Sequence, residues 1–410
     1  MTVALSRRSS DVRVIGLISL AHGSSHFFHL VLPPMFPWLK NAFALSYAEL
    51  GLLMSIFFVV SCVVQAASGF LVDRIGARPV LFLGVALLSL AGLTYSQSNS
   101  YSMLILGAVI AGLGNGVFHP VDYTLINHKI SPLNLPYAYS MHGVTGYLGW
   151  AAAPAFMVAI AELADWRIAF LSAAALEVLV LLILWLNKSQ LVDDVKERHA
   201  QSHATAQAMG PGSSESVFAF LKLPAVWLCW IFFFFSMAST SSLQSFAPSA
   251  LFKVYLIPID VGSYFITLLA LGSAGGVLFG GYLAAKLQAP ERIVSCCLSV
   301  TVLMCLLLAT GLVSTEIIPL IFFALGFGYG VVAPSRDLLV KLATPKGVSG
   351  RVYGIVYSGI DLGAAVGPFI FGFFMDSGLP KALFIGTAIF QIMIIPTVFK
   401  VSPRAVPKAI

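Results

Sequence analysis

Gly112-Leu113-Gly114-Asn115-Gly116-Val117-Phe118-His119-Pro120 returns 214 positions later as Gly326-Phe327-Gly328-Tyr329-Gly330-Val331-Val332-Ala333-Pro334. Glycines stand first, third and fifth in both copies, and proline stands ninth. The same displacement carries Gly149 and Pro154 onto Gly363 and Pro368, and Pro34 onto Pro248. A repeat of this length within 410 residues means two homologous halves of the same topology, with binding expected near the midplane between them. The glycines do not form a nucleotide loop, because no strand precedes them and the chain has no G-x-x-x-x-G-K-[ST]. Both copies lie in apolar runs, where alternating glycines let helices approach closely.

Around the repeat the chain is 59% hydrophobic and 10% charged, with a mean hydropathy of +0.93. Soluble domains carry roughly 25% charged residues, so a water-soluble enzyme is excluded. Apolar stretches long enough for a bilayer core of about 30 Å predict twelve helices. They fall near 13–39, 46–72, 79–97, 102–129, 136–161, 167–187, 224–251, 260–286, 291–312, 316–341, 350–376 and 381–400. The polar stretch 188–222 reads as a linker, giving a six-helix bundle over 1–187, a cytoplasmic linker over 188–223 and a second bundle over 224–410. The fold class expected is therefore all-α and polytopic, with twelve transmembrane helices in two pseudo-symmetric bundles.

The net charge of +6 does not imply a nucleic acid, because the basic residues sit in short loops beside the spans. With the N-terminus inside, eighteen of the Lys and Arg fall on the cytoplasmic side. Lys40, Arg167, Lys253 and Lys381 fall outside and Arg336 lies within a span, so both termini are expected in the cytoplasm. The apolar stretch after Arg13 has no small-residue cleavage site and reads as the first span, not a leader. Cys62, Cys229, Cys296, Cys297 and Cys305 all lie in spans, without the spacing of a disulfide framework or a zinc cage.

Between the second and third spans stands Gly69-Phe70-Leu71-Val72-Asp73-Arg74-Ile75-Gly76-Ala77-Arg78. It resembles the G-x-L-x-D-R-x-G-x-R signature of the major facilitator superfamily, in the loop where that family carries it. Gly69 permits close helix approach, Gly76 a tight turn, and Asp73 can pair with Arg74 or Arg78 or cap a helix. The second half keeps Gly281 and Lys286 but has Ala285 in place of the acid. Within the superfamily the chain is most similar to the fosmidomycin-resistance-like branch, through His26-Phe27-Phe28-His29, Pro33, Pro37, Trp38, Gly116 to Pro120, and Gly143 to Pro154. It departs from the pattern of drug antiporters at Ala108, where those carry arginine, and at Ala153, where they carry glycine before the proline.

Ionisable groups within spans are functional candidates, because charge at the bilayer centre costs at least about 2.5 kcal/mol. His22, His26 and His29 share one face of the first span, and His119 and Asp122 lie one turn apart on the fourth. Arg336 and Asp337 stand on the tenth span and Asp361 on the eleventh. His119, ten residues or roughly 15 Å from Lys129, is the first choice for proton coupling. The resemblance places the first, fourth, seventh and tenth spans around the cavity. Gln244, in the polar run Ser239 to Gln244 of the seventh span, is a candidate substrate donor. Asp122 and Arg336 match under the 214-residue shift and are expected to form a lock between the halves, with Arg336 alternatively attracting an anionic group. His142 and Glu177 are read as structural. No metal or cofactor is assigned, since the first span offers no carboxylate or cysteine beside its histidines.

These residues lead to the expectation of a secondary transporter, functioning as a monomer in a bacterial inner membrane and driven by protons. The expected cargo is a small polar or anionic organic compound, and the resemblance to the fosmidomycin-resistance-like branch implies that it is moved by efflux. Proton-symport uptake of an organic anion, and export of a metal or metal chelate, remain alternatives. A membrane enzyme is disfavoured by the lack of H-E-x-x-H and G-x-S-x-G.

Overall fold

The computed structural model describes residues 2–131, 134–192, 222–287, 289–343 and 349–401. Most of the expected linker lies outside the described residues, as do the side chains of Asp73 and Ala285. The twelve spans form as expected, in two pseudo-symmetric six-helix halves.

The first span is α1 (Thr2–His29), a 3-10 turn (Pro33–Met35) and α2 (Phe36–Phe43). The sequence reading of one helix over 13–39 is corrected here. Pro33 and Pro34 lack the N–H a continuous helix needs, and their rings collide with the carbonyls four residues back. The second and third spans are α3 (Tyr47–Ile75) and α4 (Ala77–Ser96). A capping box starts α3, Glu49 N donating to Ser46 Oγ at 3.1 Å and Ser46 N to Glu49 Oε2 at 2.8 Å. Gly76 ends it at φ 91°, a turn that favours glycine.

The fourth span divides into α5 (Tyr101–Asn115) and α6 (Phe118–Lys129). The interruption falls at Gly116 and Val117, just ahead of Pro120. The N-terminal half closes with α7 (Leu135–Leu163) and α8 (Trp166–Leu186). The second half contains α9 (Pro224–Tyr255), α10 (Ile259–Leu287), α11 (Pro290–Thr310), α12 (Ile318–Ala343), α13 (Ser349–Asp376) and α14 (Lys381–Val401). Here α12 runs unbroken through Pro334, so the repeat in sequence is not a strict repeat in backbone.

Lipid offers apolar side chains no gain from leaving it, so these helices hold together by close contact. A Cβ on Gly112 would stand 2.6 Å from the Phe57 carbonyl oxygen, and one on Gly116 2.6 Å from that of Ser61, which seats α5 on α3. The equivalents Gly326 and Gly330 seat α12 on the Leu269 and Ser273 carbonyls of α10. Gly149 likewise meets Gly23 across α7 and α1, and its partner under the shift, Gly363, meets Phe234 across α13 and α9. Leucines and phenylalanines such as Leu278, Leu303 and Phe373 stay exposed on the outer surface, as lipid allows.

The halves meet along α3 and α13, which run antiparallel. At one end Tyr47 N and Ala48 N both donate to the Asp376 carboxylate at 2.8 Å. Lys253 Nζ donates to Met375 O at 3.0 Å and lies over the Tyr47 ring at 4.6 Å, with Lys40 over the same ring at 4.3 Å. Further along, Ser55 Oγ donates to Ala365 O at 2.5 Å, and Gln65 Nε2 to Asp361 Oδ2 at 3.3 Å. A second contact joins α7 to α10 through Thr267 Oγ1 and Ala151 O at 2.9 Å.

Adjacent glycines of α10 separate packing from flexibility. A Cβ on Gly275 meets nothing within 4 Å, whereas one on Gly276 is driven into the Phe327 carbonyl and stands 2.9 Å from Val331 N. Gly275→Ala should leave the thermal unfolding midpoint in detergent unchanged or raise stability by up to about 1 kcal/mol. Gly276→Ala should lower stability by about 1–3 kcal/mol through overpacking.

Candidate functional site

The face of α1 that carries His22, His26 and His29 is turned toward α6 and α7. Its approach to α7 is set by Gly149 on Gly23, and one turn away by Gly146, where a Cβ would stand 3.0 Å from His26 Nδ1 and 3.1 Å from His22 Nε2. His142 precedes Gly146 by four residues and Gly149 by seven, so it occupies the same face of α7. Its ring stacks on that of His22 with centroids 3.4 Å apart and planes inclined by 23°.

Asp122 of α6 is fully buried beneath this stack. Its Oδ2 lies 3.1 Å from His22 Nδ1 and 3.0 Å from His142 Nε2, while Oδ1 has no partner. One ligand atom from each of His22, Asp122 and His142 falls within 4.8 Å of the others, close enough to share a cation. His119, one turn before Asp122, has its ring 5.6 Å from His22 and 6.3 Å from both His26 and His142. His26 lies 4.4 Å from His22 and 4.7 Å from His29, and neither of its ring nitrogens has a partner.

His29 differs from the rest because its bonds are complete. Trp150 Nε1, which can only donate, reaches His29 Nδ1 at 3.2 Å, so the proton is on Nε2, which donates to Asn115 Oδ1 at 2.8 Å. Asn115 Nδ2 in turn donates to Ser61 Oγ at 2.8 Å. A neutral imidazole in a fixed tautomer therefore pins α1 to α5, α3 and α7.

The second half presents different chemistry. Arg336 Nε donates to the neighbouring Asp337 Oδ1 at 3.0 Å, and the guanidinium lies 4.4 Å over the Phe233 ring. The expected lock between Asp122 and Arg336 is corrected: among the described residues no ion pair joins them, because each already has partners within its own half. Gln244 Nε2 is buried on α9 without a partner. Asp361 faces α3 and meets Gln65 rather than the histidines. Gln391 forms a hub, accepting from Thr301 Oγ1 at 2.6 Å and donating to Tyr329 OH at 2.5 Å. Around the motif, the close helix approach expected at Gly69 is corrected, since a Cβ there would meet nothing within 4 Å; Arg74 is exposed and Arg78 donates to Lys188 O at 3.3 Å.

Five predicted residues thus converge, namely His22, His26, His29, His119 and Asp122. Arg336, Asp337, Gln244 and Asp361 lie elsewhere. Sequence reasoning set His142 aside, yet it shares the Asp122 carboxylate; its spacing from Gly149, already assigned to close packing, was the available signal. Glu177, set aside with it, stays apart, fully buried with both oxygens unpartnered. The first span offers no carboxylate to its histidines, and the one beside them comes from the fourth.

A family model described as Major Facilitator Superfamily matches residues 18–335 and 260–409. The chain belongs to the major facilitator superfamily. Among its relatives in the superfamily is the fosmidomycin resistance protein of Escherichia coli (strain K12), 23% identical over 358 residues, which span 86% of this chain and 85% of that protein. The fold is shared with a bacterial homologue of the human lysosomal transporter Spinster in an inward-facing, occupied conformation, at a TM-score of 0.74 and 15% identity over 95% of this chain and 96% of the other. The nucleoside transporter NupG also shares it, at a TM-score of 0.74 and 12% identity over 95% and 99% of the two chains. The protein is accordingly a multi-pass membrane transporter of this superfamily.

The two histidines of α1 with contrasting bonds should respond differently to replacement. His29→Ala strands the Trp150 N–H and the Asn115 carbonyl and should lower stability by about 2–4 kcal/mol in detergent unfolding. His26→Phe removes two unpartnered nitrogens and keeps the ring stack, so its unfolding midpoint should equal or exceed that of the wild type.

Proposed function

We propose that the chain is a secondary active transporter that works by alternating access and uses the proton gradient to expel a small polar or anionic organic compound. The observation that carries this reading is the contact between Asp361 and Gln65 across the seam of the two halves. Asp361 is 7% exposed, and movement that opens α3 from α13 removes its partner and admits water. The proton affinity of the carboxyl then differs between the two states, as coupling requires. Asp361 takes the role first given to His119, whose ring neighbours His22, His26, His142 and Tyr123 all belong to one half and move with it.

Arg336 supports an anionic cargo. Its guanidinium is partly buried within the span, held at Nε by Asp337 and lying over the Phe233 ring. The unpartnered amide of Gln244 supplies a further donor. Basic residues concentrate at the end bearing Lys129, Lys188, Lys286 and Lys400, which supports a cytoplasmic position for that end and for both termini, in a bacterial inner membrane. The seal of Tyr47 and Asp376 then faces outward, and 188–223 is the cytoplasmic linker between two bundles in a monomer. Efflux is favoured by the name of the fosmidomycin resistance protein. Uptake of an organic anion with a proton is the second reading, favoured by Arg336.

The test is proton movement in proteoliposomes containing a pH-sensitive dye, challenged with phosphonates, carboxylates and cationic drugs. Wild-type protein should move protons with one cargo class, and the sign of the flux separates antiport from symport. Asp361→Asn should abolish proton movement while cargo exchange without a gradient persists. Full coupling in that variant removes Asp361 from the role.

A further inference from the structure

We propose that the N-terminal half contains a binding site for one divalent transition-metal ion of the Zn2+ and Co2+ type, formed by His22 Nδ1, Asp122 Oδ2 and His142 Nε2. The site is independent of the coupling role given to Asp361.

Three observations carry it. First, the donor set is two imidazoles and a carboxylate, the mixed nitrogen and oxygen ligation that suits zinc and its neighbours and not magnesium or calcium, which take oxygen alone. Second, the geometry is close to what such an ion needs. In a tetrahedral site with bonds of about 2.0–2.1 Å, ligand atoms stand about 3.3 Å apart. Here Asp122 Oδ2 lies 3.1 Å from one nitrogen and 3.0 Å from the other, and all three atoms fall within 4.8 Å. Third, the surroundings have spare donors. Both ring nitrogens of His26 lack partners, and His26 follows His22 by four residues, the helical spacing that presents two imidazoles to one ion. His26 lies outside the three atoms grouped within 4.8 Å of one another, so a fourth position is filled by rotation of its ring or by solvent.

The hydrogen bonds present do not account for the arrangement. Two imidazoles crowd onto one carboxylate oxygen while the other, Oδ1, is buried with nothing to accept from. Rings stacked at 3.4 Å gain little from each other, whereas a cation on their shared oxygen gives both a reason to be there. His26 and His119 are partly buried, while His22, His142 and Asp122 are buried.

The experiment uses the full-length protein in detergent with its affinity tag removed, and Zn2+ or Co2+ alone as the probe. Equilibrium dialysis with elemental analysis should give one Zn2+ per chain, with Mg2+ and Ca2+ failing to compete. Bound Co2+ should show the intense visible absorption of a four-coordinate site. Asp122→Asn and His142→Ala should each weaken binding tenfold or more, and Gly146→Ala, which presses on the rings without removing a ligand, should change the Co2+ spectrum. Asp361→Asn should bind the ion like the wild type, so failure of the coupling assignment and failure of this one are separable. Absence of a stoichiometric site in the wild type overturns the proposal whether or not the variants fold. Binding that survives in both Asp122→Asn and His142→Ala also overturns it, by moving the ion to histidines outside the spans such as His199 and His203.

Discussion

Backbone contact between glycine and carbonyl is the constraint on which the rest of this structure depends. In water a helix pair is driven together by its apolar faces, but in lipid that drive is absent and proximity itself must supply the attraction. The absence of Cβ at Gly23, Gly146 and Gly149 brings α1 and α7 into close contact, with His22 of α1 and His142 of α7 stacked beside α6. The histidine cluster is a product of that approach. Glycine spacing brings the two helices together, and the bonds of His22 and His142 to Asp122 then join them to α6.

The same scaffold then carries unlike chemistry in its two copies. Under the 214-residue shift His22 and His26 correspond to Ser236 and Thr240, Asp122 to Arg336, and Glu177 to Gln391. One half has imidazoles around a carboxylate; the other has a guanidinium, hydroxyls and an amide bonded to Thr301 and Tyr329. Gly112, Gly114, Gly116, Pro120, Gly149 and Pro154 are retained across the shift, whereas Gly23 and Gly146 become Met237 and Ile360, and the residues beside them have diverged. The two halves therefore share a backbone plan but differ in the charge and polarity buried within it.

Much of the fold was legible because a membrane leaves few options: long apolar runs must be helices, and the loop motif and the repeat specify how twelve of them are arranged. The breaks at Pro33 and at Gly116 were harder to read, since proline is tolerated inside α7, α9 and α12 but not in the first or fourth span. Whether a helix bends or stops there depends on what can satisfy the freed carbonyls, which is a tertiary property. For the site, helical spacing identified His22, His26 and His29, and proximity in sequence linked His119 with Asp122. The join between those two sets, and the entry of His142, depended on helix rotation about its axis, which no single span encodes. Pairing Asp122 with Arg336 failed for a related reason: equivalence under a repeat states where residues sit in their own halves, not that they face each other.

The carboxylate of Asp376 occupies the place where a helix normally supplies its own ending. Tyr47 and Ala48 are the first two residues of α3, whose N–H groups have no acceptor within their own helix, and the acceptor comes from the opposite half. The first turn of α3 is in this sense completed from outside. Under the alternating access proposed above, parting of the halves at that end would take the acceptor away and leave two amide donors to water, at a cost on the order of 1 kcal/mol for a lost cap. In that cycle, separating the halves and fraying the first turn of α3 would be one event.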